Sequence, residues 1–201
     1  MIPDCTAIIL AGGDSRRMGS DKAELLLGGQ TLLQRVIATM QQLFPAVIVS
    51  VRQQRPEIAV PQVCDDQAGG GKQEAGPLAG LAAGLGSITT AWAFVVACDM
   101  PFIAPGMVEL LAKYRAGNQA VVPVVQGHPQ PLAAFYAGSC LGILRAQLAG
   151  DGKHSLRAAL AQLQVRYVDE SELLKADPGL HSFFDLDTRD DMEKAKKIDA
   201  N

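Results

Sequence analysis

The stretch Leu10-Ala11-Gly12-Gly13-Asp14-Ser15-Arg16-Arg17-Met18-Gly19-Ser20-Asp21-Lys22 decides the reading of this chain. It continues the apolar run Ala7 to Leu10, part of a predicted buried strand from Thr6 to Leu10, into a loop rich in glycine and cations. Glycine at 12, 13 and 19 removes side chains that would hold main-chain N–H groups away from an anion. It also tolerates the positive φ of a tight anion-binding turn. Arg16, Arg17 and Lys22 add formal positive charge. Together these residues predict a polyphosphate site. Three common phosphate loops are excluded by spacing, since the stretch holds no G-x-x-x-x-G-K-[ST], no G-x-G-x-x-G and no kinase-type glycine loop.

Outward from this loop, apolar runs of strand length alternate with helical patterns, which predicts a parallel α/β sheet. Thr31 to Phe44 carries Leu32, Leu33, Val36, Ile37, Met40, Leu43 and Phe44 on a 3.6-residue period, with Thr31 as the helix cap. Val47 to Val51 reads as the second strand. Ala91 to Cys98 is a continuous apolar run, as in a central strand covered on both faces. Pro77 starts a helix through Ile88, and Pro105 starts one to about Arg115. Val121 to Val125 and Leu132 to Tyr136 are further strands, the second antiparallel or at an edge because of Pro123, Pro129 and Pro131. Gly138 to Leu163 reads as two short helices interrupted by Gly150-Asp151-Gly152, and Val165 to Val168 as a strand. Thr188-x-x-Asp191 is a capping box opening a helix to Lys197, whose Lys194, Lys196 and Lys197 form a solvated surface that suits the helix dipole.

Composition bounds what such a chain does. With 201 residues and 48% apolar content it buries one core, and no linker or charge run divides it, so residues 1–201 read as a single domain. A net charge of −3 gives no drive toward nucleic acid, so the cationic loop is a local site for a small anion. No apolar run approaches the roughly 20 residues of a membrane span. Met1-Ile2-Pro3-Asp4 lacks the basic start of a secretory signal, and a cytoplasmic chain is expected. The four cysteines, Cys5, Cys64, Cys98 and Cys140, are scattered without C-x-x-C spacing and read as reduced thiols. Trp92 precedes a buried strand and reads as core.

Asp99 is the foremost candidate for chemistry. It stands at the carboxyl end of the predicted central strand, where open α/β sheets bind their ligands. A carboxylate opposite a phosphate loop is placed to hold Mg²⁺ against phosphate oxygens. His128, His154 and His181 show no metal-ligand spacing, and no G-x-S-x-G is present.

Further motifs follow in order: Gly76-Pro77-Leu78-Ala79-Gly80-Leu81, Cys98-Asp99-Met100-Pro101-Phe102, Gln130-Pro131-Leu132-Ala133-Ala134-Phe135-Tyr136 and Phe184-Asp185-Leu186-Asp187-Thr188. With the loop string L-A-G-G-x-S-x-R-M-G-x-D-K, the sequence resembles the molybdenum cofactor guanylyltransferases of the nucleotidyltransferase superfamily, and their cytidylyltransferase relatives, over nearly its whole length. The resemblance implies a Rossmann-like, GT-A-like three-layer α/β sandwich with a mostly parallel central sheet. It implies transfer of GMP from GTP to the phosphate of molybdopterin, with Mg²⁺ as cofactor and pyrophosphate as leaving group. Because the acceptor phosphate is already ionised, this reaction needs positioning and charge neutralisation rather than a covalent nucleophile.

Site residues follow from the same resemblance. Leu10, Ala11 and Gly12 offer main-chain groups to the nucleotide, and Gly13 to Gly19 wrap the β- and γ-phosphates. Lys22 and Arg16 neutralise the leaving pyrophosphate, while Asp99 and Asp187 hold the metal. Ser50, where relatives often carry Asn, and Asp66, chosen over Asp65, meet the base or ribose. Asp185 and Asp187 also stand where relatives often have Asn. Arg17 remains open between phosphate contact and solvated surface, His128 between a pterin contact and solvation, and Gln67 to Glu74 with Gly69-Gly70-Gly71 between connector and substrate lid. Implied partners are GTP and molybdopterin, with molybdenum-cofactor pathway proteins and apo-molybdoenzyme chaperones as candidates, and neither nucleic acid nor membrane. The alternatives are a CTP-dependent cytidylyltransferase, a sugar-phosphate nucleotidyltransferase and a non-catalytic GTP-binding delivery module. A nicotinamide-dependent dehydrogenase is disfavoured by the loop spacing.

Overall fold

The computed structural model describes residues 1–12, 22–65, 76–150 and 154–200. In chain order these form β1 (Cys5–Leu10), a 3-10 turn at Lys22–Glu24, a hairpin of β2 (Leu26–Leu27) and β3 (Gln30–Thr31), and α1 (Leu32–Leu43). Next come β4 (Ala46–Val51), β5 (Gln62–Cys64), α2 (Gly76–Ser87), β6 (Trp92–Ala97), α3 (Pro105–Ala112) and β7 (Ala120–Val125). β8 (His128–Pro129), β9 (Ala133–Ala137), a 3-10 turn at Gly138–Cys140, α4 (Leu141–Ala149), α5 (Leu156–Leu160), β10 (Val165–Val168), α6 (Glu170–Leu173), a 3-10 turn at His181–Phe183 and α7 (Arg189–Asp199) complete the order. The described strands make an eight-stranded sheet in the order β10-β7-β9-β6-β1-β4-β5, with β8 beside β7.

Alternation along β1 builds both sides of the sheet. Cys5, Ala7 and Ile9 enter one core, where α1, α3 and α6 pack through Val36, Met107 and Leu173. Ile8 and Leu10 enter the other, against Leu81 of α2, Leu144 of α4 and Ala159 of α5. The result is the expected three-layer α/β sandwich. Coverage on both faces is why β1 and β6 read as unbroken apolar runs. α2 lies close on β1, since a Cβ at Gly84 would stand 2.7 Å from Ile8 Cγ2.

The pairing of β1 with β4 and β6 is parallel, as is that of β4 with β5 and β10 with β7. β9 runs antiparallel to both β6 and β7, so the sheet is mixed and mostly parallel. Antiparallel was one of the two readings for this strand. The other, an edge, is corrected: β9 is buried throughout and lies inside the sheet, because Pro131 falls before its first residue and leaves its N–H groups available. The hairpin, β5 and α6 were not read from the sequence, being too short to display a period.

Caps match the predicted boundaries. Gln34 N donates to Thr31 Oγ1 at 3.1 Å and Thr31 N donates to Gln34 Oε1 at 3.0 Å, a full capping box. Thr188 and Asp191 form a second at α7. Ser155 caps α5; of the predicted break Gly150-Asp151-Gly152, residues 151 and 152 lie outside the described residues. Trp92 is half-buried rather than enclosed; it borders both cores under the Arg115 guanidinium, 5.9 Å from the ring centroid. Cys5, Cys98 and Cys140 are buried thiols and Cys64 is a half-buried one. Among the described residues no helix is long and apolar enough to cross a membrane.

A third, small cluster has a different task. Leu27, Leu32, Leu186 and Ala195 are buried together, with Leu25, Phe102, Phe184 and Met192 packed on them. It joins the hairpin after the glycine loop, the loop after β6, the segment before α7 and α7 itself. These are the segments that surround the strand ends.

Candidate active site

Parallel pairing brings the carboxyl ends of β1, β4, β5 and β6 to one edge of the sheet. Three main-chain bonds carry the ladder past those ends: Ala11 N to Ser50 O at 2.9 Å, Cys98 N to Leu10 O at 3.0 Å and Asp65 N to Val51 O at 3.0 Å. Leu10, Ala11, Gly12, Ser50 and Asp99 are thereby brought together. Asp99 is half-buried in the turn that follows β6.

Two glycines shape a slot beside these ends. A Cβ at Gly12 would stand 2.7 Å from Asp65 Oδ2 and 3.6 Å from Arg52 Cγ. A Cβ at Gly80 of α2 would stand 3.1 Å from Leu10 Cδ2, 3.1 Å from Ser50 Oγ and 3.7 Å from Asp65 Oδ2. The Asp65 carboxylate therefore lies between Gly12, at the start of the glycine-rich stretch, and α2, with the Ser50 hydroxyl beneath Gly80. Ser50 is 1% exposed, and its Oγ has no hydrogen-bond partner among the described residues. Leaving a buried hydroxyl unpaired costs about 1–3 kcal/mol, so such a group calls for an explanation.

Asp65 is the residue that the sequence weighs against Asp66, while Arg52 carries no signal in the sequence. The choice there falls on Asp66, and Asp66 lies outside the described residues. The signal for Asp65 was the end of β5 at Cys64, which aims Asp65 at the strand ends, but a three-residue strand is illegible in sequence. Gly13, Arg16, Arg17 and Gly19 also lie outside the described residues, as does the side chain of Lys22, whose backbone opens the 3-10 turn before the hairpin. His128 is exposed in β8.

Asp187 reaches the same edge from the far end of the chain. Leu186 N donates to Asp99 O at 3.0 Å, setting the backbone of Asp187 beside the Asp99 turn. The Asp191 carboxylate then accepts from Asp187 N at 3.3 Å and Thr188 N at 2.9 Å. Hydrogen bonding, chiefly from the Thr188 side chain, holds the Asp191 carboxyl below its ordinary pKa. Among the described residues no group of three or more His, Cys, Asp or Glu is arranged to hold a metal. The donor chemistry of Asp99 and Asp187, two carboxylates on segments joined by the backbone bond from Leu186 to Asp99, is of the kind Mg²⁺ takes, since it accepts one or two carboxylates and completes its shell with water and phosphate.

A family model described as a MobA-like NTP transferase domain matches residues 7–167, from β1 to the penultimate residue of β10. The chain belongs to the MobA-like NTP transferase family. It is a nucleotidyltransferase, and the strand-end site of this MobA-like chain lies within the matched span apart from Asp187. Similar proteins extend beyond it. A probable molybdenum cofactor guanylyltransferase of Pelotomaculum thermopropionicum is 34% identical over 98% of this chain and 94% of its own. One from Chloroflexus aggregans is 36% identical over 94% and 91%. In three dimensions the chain is similar to molybdopterin-guanine dinucleotide biosynthesis protein A of Archaeoglobus fulgidus, with a TM-score of 0.84, 28% identity, and 97% and 98% of the two chains covered.

Proposed function

We propose that this MobA-like nucleotidyltransferase moves GMP from GTP to the phosphate of molybdopterin, forming molybdopterin guanine dinucleotide and releasing pyrophosphate. The relatives' names support the substrate pair. The observation that carries the choice of guanine is the buried Ser50 hydroxyl, without a hydrogen-bond partner among the described residues, beside the Asp65 carboxylate in the slot at Gly12 and Gly80. A carboxylate accepts from both the N1–H and the N2 amine of guanine, and a hydroxyl donates to O6. Cytosine has no such pair of adjacent donors.

The remaining roles follow from charge. GTP and the pterin phosphate repel one another until cations and main-chain N–H groups hold them together, so binding geometry and neutralisation carry the rate. Leu10, Ala11 and Gly12 line the nucleotide, Gly13 to Gly19 wrap its phosphates, and Lys22 with Arg16 neutralises the departing pyrophosphate. Asp99 and Asp187 hold Mg²⁺. When bound, the ion supplies positive charge against the phosphate oxygens. The ionised acceptor phosphate is itself the nucleophile and needs no side-chain base. The whole of 1–201 acts as one cytoplasmic domain in this reading.

Pyrophosphate release with GTP, CTP, ATP and UTP in turn, with Mg²⁺ and with or without fresh molybdopterin, tests it. Release confined to GTP plus pterin supports the proposal. Preference for CTP moves the protein to the cytidylyltransferase reading, and silence with all four, from folded protein that binds one of them, points to a sugar-phosphate acceptor or a delivery module.

A further inference from the structure

Asp177 is a carboxylate only 6% exposed. Its Oδ1 accepts from His181 N at 3.2 Å and its Oδ2 from Ser182 N at 2.8 Å. Ser182 is fully buried, and its Oγ in turn accepts from Ala104 N at 2.9 Å. Ala104 is the cap residue of α3 and ends the loop that Asp99 begins. Leu186 N meets the other end of that loop at Asp99 O, 3.0 Å away. The segment from Ser182 to Leu186 is thus fastened to both ends of the segment from Asp99 to Ala104.

Between the two fastenings stands Phe102. Its ring centroid is 6.5 Å from that of His181 and 6.0 Å from that of Phe184, so its ring packs against both residues in tilted contact. Apolar packing alone holds two loops together without fixing their register. Hydrogen bonds from named main-chain groups to buried oxygens fix direction and distance as well. Leu180, just before the 3-10 turn His181–Phe183, takes the left-handed φ of +50°, a conformation a residue with a side chain adopts only when its surroundings impose it.

We infer that Asp177 and Ser182 are positioning residues that set Asp187 against Asp99, so that the two carboxylates are already spaced for one divalent cation. This rests on the reading of Asp99 and Asp187 as the metal pair. Neither Asp177 nor Ser182 touches substrate. They act through the backbone, as outer partners of metal ligands commonly do.

The test is the Mn²⁺ affinity of the full chain bound to GTP without acceptor, read from the electron paramagnetic resonance of free Mn²⁺ for wild type, Ser182→Ala, Ser182→Thr, Asp187→Asn and the S182A/D187N double variant. Ser182→Ala is expected to weaken Mn²⁺ binding about tenfold or more. Ser182→Thr, which keeps the hydroxyl, is expected to restore most of it. The double variant should bind no worse than Asp187→Asn alone, since both changes disable the same ligand. Wild-type affinity in Ser182→Ala, with affinity lost in Asp187→Asn, overturns the positioning role and leaves the metal pair standing. Wild-type affinity in Asp187→Asn overturns the metal pair itself, and this inference with it. A lower melting temperature in Ser182→Ala with Mn²⁺ affinity intact marks a purely structural contact and also overturns it. Should Ser182→Ala not fold, Asp177→Asn is read by the same criteria.

Discussion

Leu186 donates its main-chain N–H to the carbonyl of Asp99 at 3.0 Å, closing a late loop onto the end of a central strand. The bond uses no side chain. It nonetheless sets the backbone of Asp187 beside that of Asp99, at the edge where β1, β4 and β5 also end.

Charge at that edge carries the first prediction. Asp99→Asn keeps the shape of the turn and removes the anion. Lys22→Ala removes a cation assigned to the departing pyrophosphate. Each is expected to lower turnover on the order of 10²- to 10³-fold, the usual loss for a transition-state charge contact. Steady-state pyrophosphate release, with circular dichroism as the check on folding, measures it.

Ser50 separates stability from function. Its hydroxyl is buried and unpartnered among the described residues, so Ser50→Ala is expected to stabilise the nucleotide-free protein by about 1 kcal/mol. The same change should weaken GTP binding. Urea unfolding and a GTP titration on one preparation read both signs, and a destabilised variant with normal GTP affinity contradicts the role.

Asp65→Asn replaces two acceptor oxygens by one acceptor and one donor. In the proposed guanine contact the donor would face the base's own N–H groups, so GTP affinity should fall by about 1.5–3 kcal/mol, the scale of a charged hydrogen bond, with CTP affected less. Competition binding with the two nucleotides measures the difference.

Alkaline stability depends on buried thiols. Burial pushes Cys5 from 9.0 up to about 12, against a smaller opposing pull from Arg115, and pushes Cys140 up to about 11. The hydroxyl of Tyr136 is raised by burial as well. Unfolded chains lose these protons first. Each thiol's contribution is therefore complete below pH 9 and is lost as pH rises toward 11–12, at about 1.4 kcal/mol per pH unit per thiol. Urea unfolding between pH 8 and 10.5 should show the decline, and Cys5→Ala should make it shallower.

Much of this fold was legible because its signals are periodic. β1 and β6 are covered on both faces and read as apolar runs; α1 and α7 announce their starts through Thr31 and Thr188. Asp99 followed from its place after such a run. What escaped depends on contacts rather than period. β5 is three residues long, so nothing in Val63-Cys64-Asp65-Asp66 told which carboxylate turns toward Gly12. Asp177 and Ser182 look like ordinary loop residues until their burial and their main-chain partners are seen.

The measurement closest to the central claim is mass spectrometry of the pterin product after anaerobic incubation of the protein with Mg²⁺, molybdopterin and GTP labelled with ¹⁸O at the α-phosphate. The account predicts a molybdopterin guanine dinucleotide carrying the labelled α-phosphate, formed with one pyrophosphate released for each. Unmodified molybdopterin with intact GTP, from folded protein, would contradict it.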